Sequence, residues 1–238
     1  MPKKNHLSAF IVGDDSLVAE YSDIAAASNY VIISPDKINS LKPIAGKISI
    51  AVELSNLDLD RKKRNLAAMD KALPETTAIL SSSVVWSVLD QAQWVAMKHR
   101  LVGIAALPTL ISNSVVEVSP SIYTNESAVD VARRFFASVK KDIAIVQDRV
   151  GMVMPRILCQ IINEAMFAVQ QDVAAPKDLD TAMKLGMNFP SGPLEWGEKI
   201  GFKHVYAVLD AVYADLGEER YRICPLLKEI AVTGKFWG

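Results

Sequence analysis

The feature that most constrains this chain is a change of rhythm near residue 150. Before it, apolar runs at residues 7–12, 30–33, 47–54, 78–80, 101–106, 115–119 and 143–146 read as strands. Between them, residues 17–28, 60–73 and 127–139 carry apolar positions at helical spacing, and Pro74 stops the second of these helices. Strands alternating with helices predict a largely parallel, doubly wound sheet. From Gly151 onward only helical patterns remain. Leu158, Ile161, Ile162, Ala165, Met166 and Val169 recur along one amphipathic face. Residues 178–185, a segment opened by Ser191-Gly192-Pro193, and residues 205–216 and 226–233 continue as helices. Gly186, Gly217 and Gly234 are their expected C-terminal stops. The expected organisation is an α/β domain over residues 1–149 and an all-α domain over residues 150–238.

Composition removes several classes of function. Twenty-six basic residues face twenty-seven acidic ones, so the chain lacks the basic excess of a general nucleic-acid binder. The densest basic run, Arg61-Lys62-Lys63-Arg64, is expected to be a solvated helix face. Cys159 and Cys224 lie in apolar or helical surroundings without CxxC spacing and are expected to be free, buried thiols. The N-terminal residues 1–13 predict neither a signal peptide nor a membrane span, so a cytoplasmic location is expected. No metal site is expected.

The second half carries recognisable motifs. Residues 163–201 read NEAMFAVQQDVAAPKDLDTAMKLGMNFPSGPLEWGEKIG, and residues 219–227 read ERYRICPLL. Together they resemble the C-terminal domain of 3-hydroxyacyl-CoA dehydrogenases, and most closely the second, repeated copy in double-domain bacterial forms. Residues 100–119, RLVGIAALPTLISNSVVEVS, align without a gap to that family's RxxGxHFFNPVPxxxLVEVV segment. Residues 66–80 are similar to its helix, proline and strand ahead of the catalytic serine. Only about residues 14–57 fall outside the likeness, where the chain is some tens of residues short. The resemblance implies a shortened Rossmann-like, NAD-binding-type sheet followed by a helical domain that pairs with a counterpart. Met183, Leu185, Leu194, Trp196 and Ile200 within the motifs are expected to be core residues.

The resemblance also implies a set of site residues, and most are altered. The family's base is a histidine assisted by a glutamate twelve residues later; here those positions hold Ala105 and Glu117. The family's serine aligns near Val84 or Val85, with Ser81 to Ser83 just upstream, and its asparagine aligns with Pro155. His99 and His204, besides His6 in the tail, are the histidines left as replacement bases. The resemblance implies NAD as cofactor, with GxGxxG after the first strand. This chain reads Gly13-Asp14-Asp15-Ser16-Leu17-Val18, so Gly13 alone remains. Two carboxylates there repel a diphosphate unless they turn away or bind a cation, and Asp15 or Ser16 is expected to cap the next helix. Asp36 is the displaced candidate for a ribose hydroxyl.

Three functions follow as expectations. The first is a catalytically impaired subunit that binds acyl-CoA or a partner, as a homodimer or as a heteromer with an active relative. The second is an active NAD-dependent 3-hydroxyacyl-CoA dehydrogenase with an altered site or substrate. The third is a structural partner that takes no ligand.

Overall fold

Strand β1 (Ser8–Gly13) is buried at every position, as a strand covered on both faces must be. The computed structural model describes residues 7–33 and 41–235, the side chains of residues 42–44 excepted. Two compact units divide the chain, Met1–Met152 and Val153–Gly238. In the first, helix α1 (Asp15–Ala27), β2 (Val31–Ile33), β3 (Ile50–Leu54), α2 (Leu59–Ala72) and β4 (Ile79–Ser82) follow β1. Then come the single-turn α3 (Val88–Gln91), β5 (Leu101–Ile104), β6 (Val115–Ser119), α4 (Glu126–Ser138) and β7 (Asp142–Ile145). The sheet order is β2-β1-β3-β4-β5-β6-β7, and every pairing is parallel except β5 with β6. This is the largely parallel, doubly wound sheet that the alternation predicts, and the α/β, Rossmann-like arrangement that the resemblance implies.

Alternation of side chains along each strand builds a core on either face. On one side Ile11, Val52, Leu80 and Val102 pack with Leu17 and Tyr21 of α1 and Ala132, Phe135 and Phe136 of α4. On the other, Phe10, Val12, Ala51 and Ile79 pack with Leu66 and Met69 of α2. The chain leaves β1 toward β2 on one side and returns to β3 on the other. The order therefore reverses between β1 and β3, and that switch point is where this architecture places ligands. The strand expected from residue 47 starts later, because residues 42–47 form a 3-10 turn first.

The second unit comprises α5 (Met154–Gln170), α6 (Pro176–Met187), α7 (Pro193–Ile200), α8 (Phe202–Leu216) and α9 (Pro225–Thr233). Leu158, Ile162 and Met166 of α5, Val205, Val208 and Val212 of α8, and Leu227 and Ile230 of α9 supply its buried apolar faces. Gly217 and Gly234 close α8 and α9 in left-handed conformation, as their positions predict. Gly186 does not close α6. That helix runs one residue further, and Asn188 takes the left-handed position instead, a role open to asparagine as well as glycine.

The core expected within the motifs is only partly there. Leu194 and Ile200 are buried and Met183 and Trp196 half-buried, but Leu185 is 82 % exposed. Asp180 and Lys184, one turn apart, turn toward α7, which leaves Leu185 on the outer face of α6. Cys159 and Cys224 are free and buried, and burial pushes both thiols above the ordinary range. Among the described residues no helix is long and apolar enough to cross a membrane.

Candidate functional site

The carboxyl ends of β1, β3, β4 and β5 gather the polar side chains of the first unit. Glu53, in the otherwise apolar β3, is fully buried. An unpaired charge there would be prohibitive, so the sequence must supply partners. Lys62 Nζ donates to Glu53 Oε2 at 2.5 Å and to the Ser55 carbonyl at 3.1 Å. Asn65 Nδ2, on the same face of α2, donates to Glu53 Oε1 at 3.0 Å, and the Ser55 amide donates to the same oxygen at 3.1 Å. Burial pushes the Lys62 ammonium below its ordinary range, and the charge and hydrogen bond of Glu53 work against that shift.

The solvated-face expectation for residues 61–64 therefore fails at Lys62. It lies one turn ahead of Leu66 on the inward stripe of α2, while Arg61, Lys63 and Arg64 retain contact with solvent.

At the switch point the Asn56 amide donates to Asp14 Oδ2 at 2.8 Å. Asp14 is 8 % exposed, and burial raises its carboxyl above the ordinary value; neighbouring Glu53 adds to this, while Asn56, Arg61 and Lys62 oppose it. Asp14 also occupies the position that caps α1, but its side chain makes no capping bond to the helix. The expected cap at Asp15 or Ser16 is thus replaced by a tie to the strand end of β3. The Asp15 carboxylate projects into solvent, 3.9 Å from Arg61.

Gly13 has φ +143°, and a Cβ there would stand 2.4 Å from the Leu54 carbonyl carbon. Its lack of a side chain serves the close approach of two strands. A diphosphate needs open backbone N–H groups and no competing anion. The Gly13–Asp14 turn does not fit one, and Asp36 and His6 lie outside the described residues.

The register of β5 on β6 pairs Ile104 with Val118 and so sets Ala105 opposite Glu117. The Ala105 amide donates to the Glu117 carbonyl at 3.0 Å. The structure thus brings together the two positions that the resemblance pairs, with a buried methyl group in place of an imidazole and Glu117 half-buried beside it.

The upstream serines are committed elsewhere. Ser82 Oγ donates to Asn56 Oδ1 at 2.6 Å, and Ser83 Oγ lies 3.2 Å from Ser119 Oγ. Ser81 Oγ faces Glu53 at 3.5 Å, while Val84 and Val85 are buried. Asn56 Nδ2 donates to the Ala106 carbonyl at 2.8 Å, joining β3 to the end of β5.

His99 stands away from the position where the resemblance puts a base, and His204 lies in the second unit. His99 precedes β5, where Nε2 is 3.6 Å from Glu75, so the length of the strand, roughly 13 Å, parts it from Ala105. His204 belongs to α8, where burial pushes it down to about 4 and keeps it neutral. Pro155 opens α5 in its first turn. Sequence reasoning missed the Glu53–Lys62–Asn65 cluster and Asn56. Its legible signal was one acid inside the apolar run of residues 47–54.

Comparison with known proteins places this geometry. The profile of the 3-hydroxyacyl-CoA dehydrogenase C-terminal domain matches residues 151–237. The chain is 35 % identical over 137 residues to the 3-hydroxyadipyl-CoA dehydrogenase of Escherichia coli K12, covering 58 % of this chain and 29 % of that protein. It is 28 % identical over 206 residues to a probable 3-hydroxybutyryl-CoA dehydrogenase of Bacillus subtilis, covering 82 % of this chain and 72 % of the relative.

Among solved structures, FadB2 of M. tuberculosis superposes with a TM-score of 0.84 at 16 % identity, over 96 % of this chain and 94 % of that one. The (S)-3-hydroxybutyryl-CoA dehydrogenase of Ralstonia eutropha gives 0.80 at 21 % identity, over 95 % and 94 %. The structural likenesses establish the fold, and the sequence matches establish the lineage. The chain belongs to the 3-hydroxyacyl-CoA dehydrogenase family.

Proposed function

We propose that this chain is a catalytically impaired member of its family, acting by binding a partner subunit or an acyl-CoA rather than by hydride transfer. The observation that carries the reading is Ala105, held across from Glu117 where the lineage has its base. Loss of a general base alone lowers a rate by roughly 10²–10⁴-fold. The internal bonding of Ser81, Ser82 and Ser83 supports the same reading, since none of these buried hydroxyls is left at a surface. NAD is the cofactor the lineage implies, and Asp14 and Asp15 beside Gly13 argue for weak binding.

Association is assigned to the helical unit. Val153, Met154 and Ile157 around the start of α5, and Leu185 and Met187 at the end of α6, are exposed apolar residues beyond what one core uses. The partner is a second copy or an active relative. Near-zero net charge argues against nucleic acid.

Titration with acetoacetyl-CoA and with NADH, followed by sizing of the products by light scattering, tests this reading. Species larger than the 26.0 kDa chain, and acyl-CoA binding without consumption of NADH, are expected. A monomer that binds no acyl-CoA, alone or with an active relative, would refute it. A second reading, an active oxidoreductase with an altered site or substrate, is favoured by the retained Glu117.

A further inference from the structure

In a doubly wound sheet a dinucleotide crosses the carboxyl ends of the strands at the switch point, its diphosphate against the first turn and the next helix N-terminus. Here those strands are β1 and β3, and the Asp14 carboxylate spans them through the Asn56 amide at 2.8 Å. We infer that Asp14 is a resident anion at the diphosphate position, which ties β1 to β3 and excludes dinucleotides and other diphosphates from this unit. The inference rests on the reading of an impaired family member and names the residue that closes its nucleotide crevice.

Three further observations support it. The acceptor's partner is itself fixed, because the Asn56 side chain is bonded to both Ser82 and Ala106. The turn is also tightly packed: Gly13 abuts Leu54 so closely that a single Cβ would clash. The nearby cations offer an incoming phosphate little compensation. Lys62 is engaged by Glu53, and Arg61 stands beside the Asp15 carboxylate. A diphosphate at the turn would therefore meet the Asp14 carboxylate, a repulsion strongest where water is excluded.

Calorimetric titration of the full chain with ADP and with NADH tests the assignment. No saturation is expected for the unaltered protein up to about 5 mM ligand. Asp14→Asn keeps an oxygen to accept from the Asn56 amide but removes the charge, and is expected to bind ADP at least ~10-fold more tightly. Asp14→Ser, which places a good helix-capping residue there, serves as a second neutral variant should the first fail to fold. Asp15→Asn, altering an exposed and screened carboxylate, is expected to gain less than about 3-fold.

Tight ADP binding by the unaltered protein overturns the inference. So does equal behaviour of the Asp14 and Asp15 variants, or a folded neutral Asp14 variant that gains nothing. These failures are distinct from failure of the functional reading, which would show as turnover of acetoacetyl-CoA by the unaltered chain.

Discussion

Two lysine–glutamate contacts of equal length sit in very different surroundings. Lys62 meets Glu53 at 2.5 Å with neither side chain exposed; Lys184 meets Glu195 at 2.5 Å with roughly a third of each side chain open to water. The first lies under the strand ends of the α/β unit, where Asn65 and Ser55 satisfy the remaining carboxylate oxygen. The second joins α6 to α7 within a family motif, where Ser191 and the Gly192 amide also donate to the glutamate. Burial, rather than distance, separates a contact whose loss strands a charge from one that water can replace. The strand ends have become interior structure, whereas the helical unit keeps its motif polar and near the surface.

The largest effect is expected at Lys62. Lys62→Met leaves Glu53 charged and buried without its ammonium, and should lower unfolding stability by about 3–5 kcal/mol in urea titration. Adding Glu53→Gln should recover most of that loss, because the amide needs no counter-charge. Failure of the double variant to recover would mean that packing, not charge, sets the cost.

An acid titration tests the helical unit next. The imidazole of His204 is held down to about 4, against an ordinary 6.5, by burial. Its neutral form is therefore fully compatible with the fold above pH 6.5, and the associated stability is lost as pH falls from there through 4, by ~2–3 kcal/mol. His204→Leu should flatten that part of the pH profile, and an unchanged slope would exclude His204 as its source.

Gly13→Ala follows, with an expected loss of roughly 2 kcal/mol from the positive φ and the contact with Leu54. A neutral result there would mean that β1 and β3 separate easily, weakening the case for a closed switch point. Smallest is Lys184→Met, whose unfolding midpoint should match that of the parent protein at neutral pH. A drop as large as that of Lys62→Met would erase the contrast between the two pairs.

The fold was legible because its signals are local and periodic. Residues 115–119 and 226–233 read as a strand and a helix on pattern alone, and the structure holds them as Val115–Ser119 and Pro225–Thr233. The end of α6 was less so, since asparagine at residue 188 fills a position that the glycine at 186 seemed to claim. At the strand ends, sequence could align Ala105 with Glu117 because β5 and β6 are near neighbours along the chain. It could not show that Asp14 reaches Asn56, forty-two residues away, since that tie depends on the crossover through β2. Lys62 was misread for a related reason: a basic run looks solvated until the acid facing it from β3 is in view.

The proposal put to the test is that the lineage survives in this chain while its hydride-transfer chemistry does not. Its most direct test is NADH oxidation at 340 nm by the purified chain, with acetoacetyl-CoA as acceptor and with concentrations of both varied. The account predicts no rate above the enzyme-free baseline, even at millimolar NADH. Turnover within the ordinary enzyme range of about 1–10³ s⁻¹ would contradict it.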